Sequence, residues 1–564
     1  MQVISRVLPL IGSLLFFLTF LPAAATDYYF HPRFGDDTNS GLSAKQAFQN
    51  LEKVKALPLK AGDRILLAGG ETFFGSLELI GFRGEKNNPL IIASFGGSET
   101  DPISSRINAK GYLNGILLEN SSFVKVENLE ITAEGFGKHN SVGQMRVGVM
   151  IRASQNKGVK GITLNRLILS RIFFENPGVK RSYEETKSAN GTQKYGWGIR
   201  IMNQSQDGII EDIEILNSQI SDLSHTGIKL TGNTNHNIRR IAIKGNKVYR
   251  TGGPGIQMSG VKFVYVADNE VMYSGSNDDG RKWGRGSGLW TWGSSMVLIE
   301  RNKFMHANGP GDSAGAHIDF NCDNIVIQYN LSAFNAGGFA EILGNNYNCA
   351  YRYNISVNDG HRVKGENGAF QEGKIFWLSG YQGNKKERKG PVNSYFYNNT
   401  IYVSEGIVSK IAIDNRSKGI LIANNIFHLT GKTELVSGDQ YRPDDDSSRE
   451  LDDVFFKNNV FLKEGLWPES ALIQSDDTLF GDPLFMKPGG LNMADYTPQN
   501  SELVSEGIQI PFLAGDEFGL IEGLQVTKDI LGNPISKNPG IGAIQPFSKV
   551  PESKRNTDEK TLIK

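Results

Sequence analysis

The chain has 564 residues, of which 60 are basic and 60 acidic, so its formal net charge is zero. Balanced charge provides no overall attraction to nucleic acid or to anionic membranes, and neither is predicted as a partner. The 65 glycines suit a fold of short strands joined by tight turns.

Residues 1–25 have the features of a secretory signal peptide. Arg6 supplies a positive charge, an apolar stretch follows over 8–21, and three alanines at 23–25 form a small-residue cleavage site. No other apolar run is long enough to span a bilayer. We therefore expect an exported protein, secreted or periplasmic, with no membrane span after signal cleavage.

Residues 26–75 are predicted to form an N-terminal cap and the first coil of a repeat. Ser43 and Gln46 have the spacing of a capping box. Apolar residues then recur at helical spacing, at Phe48, Leu51, Val54 and Leu57. This pattern predicts a capping helix laid over an otherwise open β edge.

A short pattern recurs along the middle of the chain, in which a glycine precedes alternating apolar and polar residues. It begins at Gly198, Gly227, Gly255, Gly288, Gly315 and Gly337. An asparagine turn follows each station, at Asn217, Asn246, Asn269, Asn302, Asn330 and Asn354. Such a period indicates a solenoid, and alternation at period 2 makes it a β-solenoid. We predict an all-β, right-handed parallel β-helix over 76–475, with catalytic coils near 198–377.

The repeat also predicts which side chains stack in columns, since neighbouring coils lie about 4.8 Å apart. Isoleucine, leucine, methionine and alanine occupy most inward positions. One outward column contains Arg200, Lys229, Gln257, Trp290, His317 and Phe339. A second contains Met202, Thr231, Ser259, Trp292, Asp319 and Glu341.

Asp319 and Glu341 are the candidate catalytic residues. Equivalent positions on adjacent coils would place them about 5 Å apart, the spacing of a retaining glycosidase. Mutual repulsion and desolvation by Phe339 and Trp292 would raise one pKa and keep that carboxyl protonated. The alternative for Asp319 is a turn cap, which is the interpretation for Asp312 and Asp323.

The remaining outward residues are candidates for substrate binding. Trp290 and Trp292 offer flat faces for sugar stacking, or they pack under the insertion at 274–287. His317 is predicted to donate a hydrogen bond to substrate rather than to bind a metal, with a purely structural role as the alternative. Further predicted contacts are Lys229, Arg200 and Phe339.

The stretch 315–354, GAHIDFNCDNIVIQYNLSAFNAGGFAEILGNNYNCAYRYN, resembles the core of the β-helix β-xylosidases, a glycoside hydrolase family 120-like group. By that resemblance Asp319 is the nucleophile and Glu341 the acid/base. The opening YYFHPRFGDDTNSG, with AGDRILLAGGETF, is similar to a broader N-terminal signature of exported β-helix carbohydrate enzymes, including lyases.

The predicted function is a secreted glycoside hydrolase that cleaves plant or algal polysaccharide by a retaining mechanism. A polysaccharide lyase is the alternative, in which Lys229, Arg200 and His317 act on a uronate. A second alternative is a non-enzymatic β-solenoid adhesin, although such proteins tend to have uniform polar ladders. The partner is a carbohydrate, and we expect a monomer.

Cys322 and Cys349 occupy similar Asn-Cys contexts, which leaves open either a disulfide between neighbouring coils or two buried thiols. No cofactor or metal is predicted, apart from calcium as an option at Asn277, Asp278 and Asp279. Residues 476–545 are predicted to form a C-terminal cap, and 546–564 a disordered tail.

Overall fold

The computed structural model describes residues 25–98, 100–134, 146–172, 196–275, 285–383, 385–436, 453–465 and 474–546. Nearly all of the predicted signal peptide, the tail after residue 546 and the optional calcium residues 277–279 lie outside these ranges. Within them, no helix is long and apolar enough to cross a membrane.

Three parallel sheets form the walls of a solenoid in the part of the chain that the structure describes. The first sheet comprises Asp27–Phe30, Arg64–Ala68, Leu90–Phe95, Val124–Glu127, Val159–Asn165, Ile210–Leu216, Ile238–Lys244, Val261–Ala267, Ser295–Glu300, Asp323–Gln328, Ala350–Arg352, Val392–Tyr397, Lys418–Ala423, Val454–Lys457 and Gln474–Asp476. The second comprises Thr72–Phe74, Ser105–Asn108, Leu129–Ala133, Ile168–Ile172, Gln219–Leu223, Lys247–Thr251, Glu270–Ser274, Lys303–Met305, Leu331–Ala333, Ile355–Val357, Thr400–Val403, Ile426–Leu429, Val460–Phe461 and Leu479–Phe480. The third comprises Leu77–Ile80, Asn114–Glu119, Arg146–Ala153, Gly196–Asn203, Ile228–Thr231, Ile256–Ser259, Leu289–Trp292, Ala316–Ile318, Gly338–Ile342, Lys374–Leu378, Ser409–Ile413 and Thr433–Leu435.

The chain visits the first, second and third sheets in turn, and each strand pairs with its equivalent one coil later. In the first sheet, for example, Ile213 pairs with Ile241, which pairs with Val264. Stacking of like residues keeps branched apolar side chains in contact along the whole axis, and they form one continuous core. The predicted parallel β-helix is confirmed.

Glycine begins each station because its missing side chain would point into the core. A Cβ at Gly198 would meet Ile220, and one at Gly227 would meet Val248. Both neighbours come from strands of the second sheet. Glycine therefore lets the second and third sheets approach closely at this corner.

Asparagine side chains form a buried ladder at the turns between the first and second sheets. Each Nδ2 donates to the Oδ1 of the next coil, along Asn246, Asn269, Asn302, Asn330, Asn354, Asn399, Asn425 and Asn459. The predicted first member, Asn217, lies one residue out of step. Ser218 takes that place, since its backbone N–H donates to Asn246 Oδ1 at 3.0 Å.

Asn302→Asp should lower the free energy of unfolding by about 3 kcal/mol or more. The change removes the Nδ2 donor, which bonds Val266 O, Glu300 O and Asn330 Oδ1 at 3.0 Å each. Denaturant unfolding measures the loss. Asn217→Asp is the control, because its bond to Asn165 is exposed; equal losses in both variants would contradict a special role for the ladder.

The N-terminal cap is made of 3₁₀-helical turns rather than the predicted regular helix. They span Ala44–Gln46 and Leu51–Ala56. Ser43 makes no capping bond with its side chain, so the predicted capping box is wrong. Leu51 and Val54 are buried as expected, and the second turn packs near the first strand of the third sheet, where Lys55 pairs with Glu78 at 2.7 Å.

The segment after Phe480 packs against the outer faces of the first and second sheets. Besides Glu366–Gly368 farther back in the chain, the remaining helical turns that the structure describes are Met493–Tyr496 and Ser501–Val504. Apolar residues of this segment join two clusters with the sheets. It reaches back to Tyr329, whose hydroxyl donates to Lys528 O at 2.9 Å. This segment therefore covers the sides of the solenoid.

Candidate active site

The outer face of the third sheet carries the predicted column of polar and aromatic side chains. Arg200 pairs with Lys229, then Gln257, Trp290 and His317 follow on successive coils. Their strand neighbours point inward and belong to the core. The predicted alignment is thus confirmed from residue 200 to residue 317.

The alignment shifts by two residues at the next coil. Ile318 pairs with Ile342, which places Glu341 beside His317 and Leu343 beside Asp319. These coils are 24 residues apart, as the bond between Asn345 and Asn321 also shows. Glu341 therefore continues the column of His317, and Trp377 follows it. We call Arg200, Lys229, Gln257, Trp290, His317, Glu341 and Trp377 the outer row.

Phe339 is not on the outer face, so its prediction as a substrate contact is wrong. The shifted register puts it at the inward position that glycine holds on the preceding coils. Its ring lies in the core and contacts Tyr351 edge-on, with centroids 5.7 Å apart. Phe339 therefore cannot desolvate the carboxyl pair from the substrate side.

The shift also changes the relation of the two candidate carboxylates. Asp319 and Glu341 lie on adjacent coils of the same face but on a diagonal, which corresponds to about 8 Å between their Cβ positions. The prediction of a retaining mechanism depends on the two carboxyl groups stacking at about 5 Å, and the observed register shows that this stacking is wrong.

Both carboxyl groups are buried yet keep a small exposed fraction, 9% for Asp319 and 5% for Glu341. Burial, reinforced by the charge of Asp312, raises the pKa of Asp319 to about 8, although the Phe320 N–H donates to its Oδ1 at 2.8 Å and opposes the shift. Burial, with Asp312 and Asp319, raises the pKa of Glu341 well above its usual range, against the attraction of Lys374. The pair can therefore hold a proton at neutral pH.

His317 lies beside Glu341 and is 1% exposed. Its Nδ1 is 3.0 Å from Ser287 Oγ and 4.0 Å from Glu341 Oε2. The Ser313 N–H also donates to Ser287 Oγ at 3.1 Å. Burial lowers the pKa of His317 to about 4, so the imidazole is neutral at pH 7.

A third acid, Asp312, lies in the same site and was not predicted there. Its Oδ1 accepts a hydrogen bond from Arg285 at 2.7 Å, in a buried ion pair. Burial acts to raise the pKa of Asp312, but Arg285, His317 and Arg362 outweigh it and hold the pKa below its usual value. Asp312 is therefore the ionised acid of the site.

The interpretation of Asp312 and Asp323 as caps of backbone N–H groups is not supported by their contacts. Asp312 pairs with Arg285, while Asp323 accepts hydrogen bonds from the side chains of Ser295 and Asn324. Asp319, the proposed catalytic residue, is the one that accepts from the following backbone N–H.

The two predicted tryptophans lie between the ends of the outer face. Trp290 is buried and meets His317 edge-on, with centroids 5.5 Å apart. Trp292 is half-buried, directly preceding Asp319 in the second column, and meets Phe320 edge-on at 5.9 Å. Most of the insertion at 274–287, the alternative partner of both indoles, lies outside the described residues.

Arg200 and Lys229 form the basic end of the outer row. The Arg200 guanidinium lies 4.4 Å from the ring centroid of Trp197, and burial lowers its pKa to about 10. Burial and the charge of Arg200 lower the pKa of Lys229 to about 7. Lys229 is three coils from His317, or about 14 Å, so these residues cannot act on one atom.

Both cysteines are buried free thiols, the second of the two predicted alternatives. They do not occupy equivalent places. Val326 pairs with Ala350, so Cys349 lies beside Ile325, while the Cys322 N–H donates to Asn346 Oδ1 at 2.6 Å. Over the described ranges, no group of three or more His, Cys, Asp or Glu residues is arranged to hold a metal.

Comparison with known proteins supports the architecture. A family model described as right-handed beta helix region matches residues 197–370, which contain all of the outer row except Trp377. The GH136 lacto-N-biosidase from Eubacterium ramulus is similar at 19% identity, covering 73% of this chain and 67% of that one, with a TM-score of 0.51. XylC, solved with xylose, is similar at 12% identity over 92% and 98%, with a TM-score of 0.52.

No curated protein sequence matches the chain. At identities this low, the structural likeness concerns the fold alone, and the xylosidase resemblance is not confirmed. The solenoid is a right-handed parallel β-helix, as its family match confirms.

Proposed function

We propose that the protein is an exported, monomeric glycoside hydrolase that acts on a polysaccharide or its fragments. One observation carries the proposal: two buried, partly accessible carboxyl groups with raised pKa values, Asp319 and Glu341, share one face of the solenoid. Ionisable groups are costly to bury, so a pair of acids whose burial raises both pKa values indicates chemistry rather than stability.

Glu341 is the proposed general acid. Burial raises its pKa well above the usual carboxyl range, so it keeps its proton at neutral pH and can deliver it to the leaving-group oxygen. His317 beside it is neutral and can form a hydrogen bond with a sugar hydroxyl.

Asp319 is the proposed carboxylate partner. The Phe320 N–H donates to Asp319 Oδ1 and stabilises its ionised form, which suits Asp319 to be the carboxylate of the pair. As a carboxylate it either attacks the anomeric carbon or activates a water molecule. Trp290 and Trp292 supply apolar faces on which sugar rings can stack.

The lyase alternative is less well supported by the geometry. It assigned Lys229, Arg200 and His317 to one uronate, but about 14 Å along the face separates Lys229 from His317. A lyase would have to use Lys229 and Arg200 alone and would leave the carboxyl pair without a purpose. A structural adhesin would likewise gain nothing from buried acids with raised pKa values.

Incubation with a panel of glycans tests the proposal. We expect new reducing ends without the ultraviolet absorbance of unsaturated uronates, and no product from an Asp319→Asn variant. Unsaturated product would establish a lyase, and no product from any glycan would favour an adhesin. NMR of the first product assigns the role of Asp319: retention makes it the nucleophile, inversion the base.

A further inference from the structure

The basic end of the outer row is built for a ligand that the catalytic pair does not explain. Lys229 is half-buried between Arg200 on one coil and Gln257 on the next. Within the described ranges, Lys229 has no acidic partner and no hydrogen bond. The charge of Arg200 disfavours the ammonium form of Lys229, and an anion beside Lys229 would offset that effect.

Three polar atoms that lack a hydrogen-bond partner in the described structure lie on the strand of Lys229 and on the strands on either side of it. Trp197 Nε1, Thr231 Oγ1 and Gln257 Oε1 are buried and have no hydrogen-bond partner in the described structure. Trp197 is 1% exposed and Gln257 6% exposed, so both side chains are buried. Buried polar atoms are normally satisfied, and several unsatisfied ones in one place indicate a missing ligand.

We propose that Trp197, Arg200, Lys229, Thr231 and Gln257 form a subsite for an anionic sugar unit, one that carries a carboxylate or a sulfate. The ammonium, guanidinium, indole N–H and hydroxyl are donors suited to such oxygens, while Gln257 Oε1 accepts from a sugar hydroxyl. The inference rests on the proposed glycan-cleaving function and names its substrate class as acidic glycans.

The position of this subsite sets where the charge lies on the substrate. Lys229 is four coils from Glu341 along the outer row, about 19 Å. One coil advances by about the length of one sugar unit, so the anionic unit lies several units away from the bond that is cleaved. Trp290 occupies the face between the two ends, where it can support the intervening sugars.

The pKa of Lys229 should make anion binding at this subsite depend on pH. Burial and Arg200 bring the pKa of Lys229 to about 7, so part of the population is uncharged in the free protein. A bound anion favours the ammonium form, and binding near neutral pH should therefore take up protons.

A binding assay independent of catalysis tests the subsite. Oligogalacturonate, a sulfated oligosaccharide and a neutral xylo-oligosaccharide are titrated against the Glu341→Gln protein, in which hydrolysis is blocked. We expect an acidic ligand to bind, and Lys229→Met to weaken that binding about 10- to 100-fold, while Lys229→Arg restores most of it. Preference for oligogalacturonate identifies a carboxylate subsite, and preference for the sulfated ligand identifies a sulfate subsite.

Lys247→Met is the matched control, since Lys247 is an exposed lysine on the second sheet and should leave binding unchanged. Equal affinity for neutral and acidic ligands, unaltered binding by Lys229→Met, or no binding of either acidic ligand would overturn the subsite. Hydrolysis fails separately: if wild-type protein binds acidic glycans through Lys229 but cleaves no glycan, the subsite stands and the hydrolase proposal falls.

Discussion

Asp319→Asn and Glu341→Gln should each reduce kcat by about 10²- to 10⁴-fold, because each removes a group that transfers a proton or attacks in the transition state. The proteins should remain folded, since each amide has nearly the shape of the acid that it replaces, and burial already disfavours the charged form of each acid. Initial rates on the best glycan of the panel measure the effect. Azide should partly rescue one variant by replacing a missing nucleophile or base.

Asp323→Asn is the control for this pair. Asp323 is an acid four residues after Asp319, but among the described residues its carboxylate bonds only the side chains of Ser295 and Asn324. Its replacement should leave kcat within a few-fold of the wild type. Activity that survives in both Asp319→Asn and Glu341→Gln would remove the pair from the mechanism.

The Asp319→Asn variant should also differ from the wild type in how its stability depends on pH. The folded pKa of Asp319, about 8, lies above its ordinary value of 3.8, so the folded state binds this proton more tightly than the unfolded state. The wild type therefore loses the corresponding stability as pH rises from about 4 to about 8. Asp319→Asn lacks this loss and should gain in Tm relative to the wild type across that window.

The architecture could be predicted from the sequence, because the alternation of apolar and polar residues and the recurring glycines indicate which residues pair on neighbouring coils. The prediction slipped at Gly337 and Gly338, where two successive glycines offer two alignments. Only packing decides between them, since Phe339 enters the core at the position where Gly315 has no side chain and a Cβ would meet Ser332. Both acids still lie on the predicted face, but they do not stack directly on adjacent coils as predicted.

Asp312 shows a different limit. It lies in a loop before its strand, and its partner Arg285 comes from the loop of the preceding coil. The two residues are 27 apart, as Trp290 and His317 are, so the repeat aligns them. Because neither lies in a strand, the alternation of apolar and polar residues does not show that their side chains meet. The sequence also does not reveal the polar atoms near Lys229 that lack a partner in the described structure, because the hydrogen bonds of a side chain depend on its folded surroundings.

Asp312→Asn should move the whole pH profile of kcat/KM toward lower pH, by about one unit. In the wild type, activity rises as Asp319 ionises, near its pKa of about 8, and falls as Glu341, whose pKa is also raised, loses its proton. The optimum should therefore lie on the alkaline side of neutrality. The negative charge of Asp312 raises the pKa of both carboxyls, so its removal lowers both.

The charges around the catalytic pair favour the same shift of the pH profile toward lower pH. Arg285, freed from its partner, and Lys374 both favour ionised carboxylates, while His317 becomes even harder to protonate without Asp312. Loss of one partner of a buried ion pair destabilises a protein by about 3–5 kcal/mol, so profiles are recorded well below the Tm of the variant. A merely structural Asp312 would lower Tm and leave the profile in place. An unchanged profile, or a shift to higher pH, would show that Asp312 does not set the protonation of the catalytic pair.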